Sequence, residues 1–564
     1  MFSFRTRETA LSRFQEETFD LLIIGGGITG AATARDAVSR GLKVALVERN
    51  DFASGTSSRS SKLIHGGLRY LENFEFHLVF EALAERAFLL KSSPHLVRPL
   101  PFYLPVYEGD AHQKGILNLG LWLYDLLALF RAPGFHKRLS REKFLEQIPA
   151  LRKEGLTGGF RYYDASMWDD VLAVETLRAA HHGGAAVANY VEAITPLWKG
   201  DQIQGFRIKD REPGGKEVDL LARRTVICAG PWTDQMGKLL TSHWKNWLTP
   251  SKGVHLIFDL KRIPLPGAMV MNHPKDGRIS FVIPRPDYGS GVVIVGTTDG
   301  PSPVDPEKSQ IEPEDVHYLM ELLHRYFPEL NLTTADIVSA YVGVRPLAGT
   351  ASSAGASAKQ DLQKVSREHF IGDGPGGTVI VAGGKYTTHR KMAVEIVDHT
   401  LSSWKNNARL GKISPPPEYG PSQTKAPINP HVSEASILQI AHQIQPDKQP
   451  LIDRYGAATE AILEIDRQER VGLINASKPD PAGFPLIRAQ LIHTMRTEMV
   501  MHLEDFYLRR LPIVHSRDDH GLPWAEELSK IWARERNLDP DTAPAELERL
   551  KAAVARLEDF KKKL

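Results

Sequence analysis

The chain begins with two apolar runs separated by a glycine-rich turn. Residues 21–24 are consecutively apolar, residues 25–30 supply the turn, and residues 28–38 are rich in small side chains. A second apolar run, residues 44–47, ends at Glu48. This order predicts a buried strand, a tight turn, a helix and a second strand, which together form a βαβ unit of the nucleotide-binding kind.

Further apolar runs at 225–230, 292–299 and 378–384 alternate with helical patterns, as in a mixed α/β protein with a second, sheet-rich domain. Near residue 412 the pattern changes to a stretch with six prolines, 413–430, and then to apolar residues at helical spacing. The predicted fold class is α/β: a Rossmann-like nucleotide-binding domain interleaved with a mixed-sheet substrate domain, followed by an all-helical C-terminal domain.

The predicted boundaries are 18–412 for the interleaved pair (nucleotide part mainly 18–100, 150–235 and 340–400; substrate part mainly 100–150 and 236–340), 413–430 for a linker, and 431–564 for the helical domain.

The composition is that of an ordinary globular protein, since 42% of the 564 residues are hydrophobic and 24% are charged. Lys and Arg total 70 against 68 Asp and Glu, so the net charge of +2 gives no overall attraction to nucleic acid, and no such partner is expected. The single cysteine, Cys228, excludes an internal disulfide, a cysteine zinc cage and a redox dithiol. No metal site is predicted. A redox protein of this composition must bind its electron carrier.

The longest apolar stretch, residues 115–130, is too short to cross a membrane. As a helix it reaches about 24 Å, against about 30 Å of hydrocarbon, and Asp125 lies inside it. Residues 1–17 mix Arg with Glu and lack the apolar core of a signal peptide. We expect residues 115–130 to form an ordinary buried helix, with an interfacial helix at a membrane surface as the alternative.

Gly25, Gly27 and Gly30 follow the spacing of a dinucleotide fingerprint. Gly25 permits the tight turn, Gly27 allows close approach of a pyrophosphate, and Gly30 lets the helix pack against the strand. Glu48 follows at the distance from which a carboxylate accepts hydrogen bonds from an adenosine ribose. The glycine run 372–377 has similar spacing but precedes a strand, so we predict a turn there. A single nucleotide site at the N-terminus favours FAD over NAD as a resident carrier.

Several motifs after the fingerprint are specific. Residues 51–76 read DFASGTSSRSSKLIHGGLRYLENFEF. The later motifs, in chain order, are CAGPW at 228–232, SKGVH at 251–255, GTTD at 296–299, GVRPL at 343–347 and GGKYTT at 383–388. Together they resemble the FAD-dependent glycerol-3-phosphate dehydrogenases of the quinone-linked bacterial type.

The resemblance implies oxidation of sn-glycerol 3-phosphate to dihydroxyacetone phosphate, with electrons passing through FAD to membrane quinone. It also implies a cytoplasmic protein that associates peripherally with the inner face of the cell membrane without spanning it. A homodimer is a further possibility. We therefore expect glycerol 3-phosphate, quinone and the membrane surface as partners.

The same motifs imply roles for individual residues. His255 is the candidate base, because imidazole titrates near neutral pH, and Arg345 and Lys385 complete the expected catalytic set. Arg69, Tyr70 and Arg367 match substrate-facing positions and join these three in the expected substrate site. The expected FAD contacts are Gly25, Gly27, Gly30, Glu48, Thr56, Ser57, His65, Gly66, Gly67, Gly230 and Lys385.

Three alternatives remain open. A glycerophosphate oxidase would keep the fold and substrate but pass electrons to oxygen. An amino-acid oxidase of the same superfamily would use Arg to bind a carboxylate, although the number of basic motif positions favours a phosphate. A catalytically silent FAD-binding protein would hold flavin that no substrate reduces.

Overall fold

The computed structural model describes residues 1–67, 75–110, 114–129, 131–349, 369–411, 413–429, 432–470 and 479–564. Two large sheets lie in the first part of the chain, and the last part is helical. Arg69, Tyr70 and Arg367, which the motifs place in the substrate site, lie outside the described residues.

The first sheet has eight strands and a parallel centre, with β10, β1, β2 and β7 side by side. Helices 28–39, 169–182 and 389–409 supply apolar side chains to the core around it, which explains why β2 is buried at every position. The strands are β1 (Thr18–Ile24), β2 (Val44–Val47), β7 (Ala186–Ala188), β8 (Val191–Lys199), β9 (Gln202–Asp210), β10 (Glu217–Ile227), β17 (His369–Asp373) and β18 (Val379–Gly383).

The second sheet has ten strands and is mostly antiparallel. Its strand β11 pairs with β14 on one side and with β16 on the other. The strands are β3 (Leu63–Ile64), β4 (Val97–Tyr107), β5 (Lys137–Leu139), β6 (Leu156–Met167), β11 (Ser251–Asp259), β12 (Ala268–Asn272), β13 (Ile279–Arg285), β14 (Val292–Gly296), β15 (Gly300–Pro301) and β16 (Ile337–Arg345).

The sheet pairing differs from the predicted internal division in three segments. The sequence assigns mainly 18–100, 150–235 and 340–400 to the nucleotide part, yet β3, the start of β4, β6 and the end of β16 belong to the second sheet. The cause is backbone pairing that the sequence does not reveal: β6 runs antiparallel to β4 along its length, and β16 pairs with β11. The glycine run 372–377 forms the turn between β17 and β18, as predicted.

Helices cover both sheets and form the C-terminal part of the chain. They are Phe4–Glu16, Ile28–Ser39, Phe76–Ser92, Lys114–Leu127, Arg141–Gln147, Asp169–His182, Thr233–Leu240, Pro313–Tyr326, His389–Arg409, Glu434–Ala441, Gln449–Tyr455, Thr459–Arg470, Ile487–Thr497, Leu503–Asp505, the π-helix Phe506–Arg510, Leu522–Glu535 and Ala543–Glu558.

The proline-rich stretch has neither helix nor strand over 413–429, but it is held against the first domain. The Arg35 guanidinium donates to the Ala426 carbonyl at 2.7 Å, and the Gly420 N–H donates to the Arg40 carbonyl at 2.9 Å. Ile428 is buried in the core of the second sheet. The segment is therefore a packed strap rather than a free linker.

The apolar helix Lys114–Leu127 differs from the expected buried helix, because only one side of it, which carries Leu121, Tyr124 and Asp125, is buried. Asp125 is buried and accepts a hydrogen bond from the His136 N–H at 3.2 Å, while its carboxylate lies 2.8 Å from His136 Nδ1. Tyr124 is buried beside it and donates to Asp164 at 2.8 Å. The opposite side is apolar and exposed, at Ile116, Leu119, Trp122 and Leu126. Within the described residues, every helix is too short or too polar to span a bilayer.

A buried charge cluster joins the helical domain to the nucleotide domain. Asp51 accepts from Arg510 Nη1 at 2.7 Å and Nη2 at 3.0 Å, and from Arg509 Nε at 2.5 Å. Asp505 accepts from Arg509 Nη2 at 2.7 Å and from the Tyr190 hydroxyl at 2.6 Å. Burial acts to raise the pKa of Asp51, but the charges of Arg510 and Arg509 outweigh it and hold that pKa below its usual value.

Replacing Arg510 with Ala leaves a buried carboxylate short of a partner, so we expect the variant to lose about 3–5 kcal/mol of unfolding free energy. Urea unfolding followed by tryptophan fluorescence measures the loss. Arg207→Ala is the control, because Arg207 pairs with Asp219 on the exposed surface and should cost less than about 1 kcal/mol. Equal shifts for the two variants would contradict the prediction.

The pairing of Asp51 with Arg510 also makes the stability of the fold depend on pH. A carboxyl group whose folded pKa is depressed stabilises the fold above its unfolded pKa of about 4, and this contribution disappears as the pH falls toward the folded value. The difference in stability between wild type and Arg510→Ala should therefore be full at neutral pH and shrink below about pH 4.

Candidate active site

A cavity of about 560 Å³ opens where the carboxyl ends of β1, β2, β10 and β18 meet the second sheet. Of the predicted site residues, those lining it are Gly25, Gly27, Glu48, Thr56, Ser57, His65, Gly230, His255, Arg345 and Lys385. Gly30, Gly66 and Gly67 do not line it. The sequence separation of these residues shows that the cavity is assembled by the tertiary fold.

The glycine fingerprint closes one end of the cavity. A Cβ at Gly30 would lie 1.9 Å from the Gly25 carbonyl oxygen, so helix and turn pack at a distance that only glycine allows. Gly25 itself has φ +113°, and a Cβ there would meet the Cys228 carbonyl oxygen at 2.4 Å. Gly27 precedes the helix Ile28–Ser39, whose N-terminus is thereby presented to the cavity as a site for an anionic group.

Glu48 directly follows β2 and lies in the cavity wall. Its carboxylate accepts from the Gly26 N–H at 2.7 Å and from the Asn50 N–H at 2.9 Å. Burial is the largest influence on its pKa and raises it, although the two backbone donors act in the opposite direction. Each carboxylate oxygen keeps a further lone pair, which suits it to accept a bond from a ribose hydroxyl.

The loop between β2 and β3 covers the cavity with hydroxyl groups. Ser57 Oγ accepts from the Ile28 N–H at 3.0 Å, and the Thr56 hydroxyl donates to the Val344 carbonyl at 2.5 Å. Behind the cavity, the Gly66 N–H donates to the Tyr124 hydroxyl at 2.9 Å. Thr56 therefore ties this loop to the second sheet, and Ser57 ties it to the fingerprint helix.

His255 lies in β11, buried against the ring of Tyr341, with ring centroids 4.8 Å apart and planes 16° apart. Its Nε2 is 2.9 Å from Ser61 Oγ. Burial lowers the pKa of His255 well below its ordinary value, and the positive charges of Arg345 and Lys62 lower it further. The imidazole is therefore neutral near pH 7 and can accept a proton.

Arg345 is fixed by the GTTD motif at 296–299. Its Nη2 donates to Thr297 Oγ1 at 2.7 Å and to the Thr298 carbonyl at 3.2 Å, and its Nη1 lies 3.4 Å from Asp299 Oδ1. Lys385 lines the same cavity after β18. The fold thus brings together His255, Arg345 and Lys385, the three residues predicted to be catalytic.

Two residues that the motifs did not single out also shape this site. Ser61 lines the cavity beside His255. Lys62 donates to Asp169 Oδ1 at 2.6 Å and supplies one of the charges near His255. The hydroxyl-rich run before His65 was the available signal, but nothing in it shows which serine faces a histidine of a distant strand.

Over 524 residues the chain is 36% identical to the aerobic glycerol-3-phosphate dehydrogenase of Bacillus subtilis (strain 168), a match that covers 90% of both chains. The chain belongs to the aerobic glycerol-3-phosphate dehydrogenase family. The protein of that name from Staphylococcus haemolyticus is 33% identical over 515 residues, which cover 89% of this chain and 88% of the relative. The resemblance drawn from the motifs is therefore confirmed.

Family models and a solved structure agree with this membership in the aerobic glycerol-3-phosphate dehydrogenase family. The model for FAD dependent oxidoreductases matches residues 20–390, and the model for the C-terminal domain of alpha-glycerophosphate oxidase matches residues 431–543. The crystal structure of the glycerol-3-phosphate dehydrogenase from Bacillus halodurans, complexed with FAD, superposes with a TM-score of 0.76 at 28% identity and covers 99% of each chain. The predicted fold class is confirmed.

FAD is the cofactor of this oxidoreductase, as predicted. The cavity suits it: the helix N-terminus after Gly27 faces one end, Glu48 offers carboxylate lone pairs, and the hydroxyl loop lines the wall. Among the described residues, His, Cys, Asp and Glu side chains form no group of three or more that is placed to hold a metal ion.

Replacing Gly30 with Ala should expel most of the bound FAD, because the added methyl group collides with the Gly25 carbonyl and pushes the turn from the helix. The ratio of flavin to protein absorbance in the purified variant, with its thermal midpoint, measures the effect. Gly120→Ala is the matched control, since a Cβ at Gly120 meets open space. Full flavin content in Gly30→Ala would refute the role assigned to this contact.

Proposed function

We propose that the protein oxidises sn-glycerol 3-phosphate to dihydroxyacetone phosphate and passes the electrons to a membrane quinone. The observation that carries this proposal is that His255, Arg345 and Lys385 line the same cavity, the one that suits FAD. The names of the relatives support the substrate. Exposed apolar residues on helix Lys114–Leu127 support a membrane quinone as the electron acceptor.

The chain's own residues account for binding and for proton removal. Arg345 and Lys385 supply positive charge for the phosphate dianion or for the oxygen at C2, and Arg69, Tyr70 and Arg367 stay predicted substrate contacts. His255 accepts the proton of the C2 hydroxyl, which its neutral state allows. When bound, FAD supplies the acceptor for the hydride that leaves C2. His255 is buried, which limits the access of water to its ring.

A glycerophosphate oxidase is the second candidate, because the C-terminal family match carries that description. It differs only in the final acceptor, which would be oxygen. An amino-acid substrate agrees less well with the site, because a single carboxylate needs one cation and four basic side chains line this cavity: Arg49, Arg59, Arg345 and Lys385.

Anaerobic addition of glycerol 3-phosphate to the purified flavoprotein should bleach the flavin absorbance. His255→Ala should slow this bleaching by about 10²–10⁴-fold while keeping its FAD, and His399→Ala, which removes a surface histidine paired with Asp373, should not. Because the pKa of His255 is depressed, the wild-type rate should show no loss of this base between pH 8 and about pH 6.5.

The outcomes separate the alternatives. No bleaching by glycerol 3-phosphate would contradict both phosphate-substrate functions and leave a silent FAD-binding protein. Reoxidation of the bleached enzyme by a soluble quinone but slowly by oxygen would support the dehydrogenase, and the reverse would support the oxidase.

An exposed apolar patch supports docking to a membrane. It is formed by the outer face of helix Lys114–Leu127 with the ends of neighbouring segments, and each member is at least 40% exposed. The patch consists of Phe76, Phe80, Ile116, Leu119, Trp122, Leu126, Leu129 and Phe135. Exposed basic residues, Arg131, Lys137 and Arg138, lie beside it in sequence. We propose that this patch enters the interface of an anionic bilayer, where apolar burial and basic charge act together.

Replacing Leu119, Trp122 and Leu126 together with Ser should abolish co-sedimentation with vesicles that contain anionic lipid, because the exposed apolar area is lost. Flavin reduction by glycerol 3-phosphate should remain at the wild-type rate. Leu438→Ser, which removes a leucine 55% exposed on the helical domain, is the control. Unchanged vesicle binding by the triple variant would rule the patch out.

A further inference from the structure

The surroundings of His255 limit the way in which its ring can act. Its Nδ1 is fully buried and has no hydrogen-bond partner among the described residues. Its Nε2 lies 2.9 Å from Ser61 Oγ, and both residues line the cavity. With Nδ1 buried and Nε2 bonded to Ser61, a group in the cavity reaches a ring nitrogen of His255 by way of Ser61 or by displacing it.

We propose that Ser61 is a catalytic proton relay between the substrate hydroxyl and His255. The inference rests on the proposed function, since it assigns the route by which the C2 hydroxyl loses its proton. Ser61 lines the cavity and carries both a donor and an acceptor on one oxygen, which is what a relay requires.

The residues on either side of Ser61 hold it in place. The Ser60 hydroxyl donates to Asp169 Oδ2 at 2.7 Å, and Lys62 Nζ donates to Asp169 Oδ1 at 2.6 Å. The Tyr341 hydroxyl, on the ring that stacks against His255, donates to the Ser60 carbonyl at 2.8 Å. The serine and the histidine are thus anchored to one network, which fixes their separation without a bond from the substrate.

Two protons move in the relay, one from the substrate hydroxyl and one from Ser61. The O–H bond of the substrate hydroxyl breaks and its proton forms a new bond to Ser61 Oγ. The original Ser61 O–H bond breaks and its proton binds His255 Nε2, which becomes cationic. The C2–H bond breaks with its electron pair, and the hydride goes to the oxidant of the proposed reaction, so that C2 becomes a carbonyl carbon. Ser61 ends with one proton, as it began.

Ser61→Ala should lower the anaerobic rate of flavin reduction by about 10²–10⁴-fold, the range of a lost proton-transfer group. Its FAD content and its dissociation constant for dihydroxyacetone phosphate, followed by the flavin spectrum, should stay within threefold of wild type. Ser61→Thr, which keeps the hydroxyl, should recover most of the rate. Ser339→Ala is the matched control, because Ser339 is also buried and bonded to a histidine, His515, at 3.0 Å, away from the cavity.

A measurement on the wild type keeps the proposal testable if Ser61→Ala does not fold. In mixtures of light and heavy water, a relay moves two protons, so the reduction rate should fall along a curve as the deuterium fraction rises. A straight line or no isotope effect would overturn the relay. So would a Ser61→Ala rate within threefold of wild type, or a loss of product affinity as large as the loss of rate. If glycerol 3-phosphate fails to reduce the wild type at all, the proposed function itself fails.

Discussion

The buried hydrogen bonds that Asp51 accepts from Arg509 and Arg510 join the nucleotide domain to the helical C-terminal domain. Asp51 lies in the loop between β2 and β3 that covers the cofactor cavity, and the two arginines come from the π-helix of the C-terminal domain. An uncompensated carboxylate at this depth would be costly, so the loop and the helical domain must fold against each other. The C-terminal domain therefore supports the flavin site, although none of the residues described for this domain lines the cavity.

Two sheets of different kinds, one with a parallel centre and one mostly antiparallel, position the residues that line the cavity. The parallel strands of the first sheet end together and deliver the glycine turn, Glu48 and Lys385 to one edge. The antiparallel second sheet fixes His255 through pairing on both sides, with Gly296 and Tyr341 as its opposite residues. The base is thus positioned by backbone hydrogen bonds within a strand, whereas Arg345 is the last residue of β16 and Lys385 follows the end of β18.

The sequence predicts the local parts of this arrangement well. Gly25 and Gly30 follow from steric rules that act within a few residues, and the motif around His255 carries its own information. The partners of Asp51 and the position of Ser61 could not be predicted, because these contacts join residues 459 and 194 positions apart. The one-sided burial of helix Lys114–Leu127 also could not be predicted. Its residues are apolar almost all round, so the pattern does not show that Asp125 lies on the buried side.

Cys228 has a practical consequence. It is the single cysteine of the chain, it lies behind the fingerprint turn, and burial raises the pKa of its thiol to about 12. At neutral pH it is a protonated thiol that is 7% exposed in the cavity wall, and no other residue of the chain carries a thiol. A cysteine introduced at any exposed position would therefore be the one site that a maleimide dye or spin label modifies in the folded protein. Distance and polarity probes could therefore be attached to the protein without first replacing Cys228.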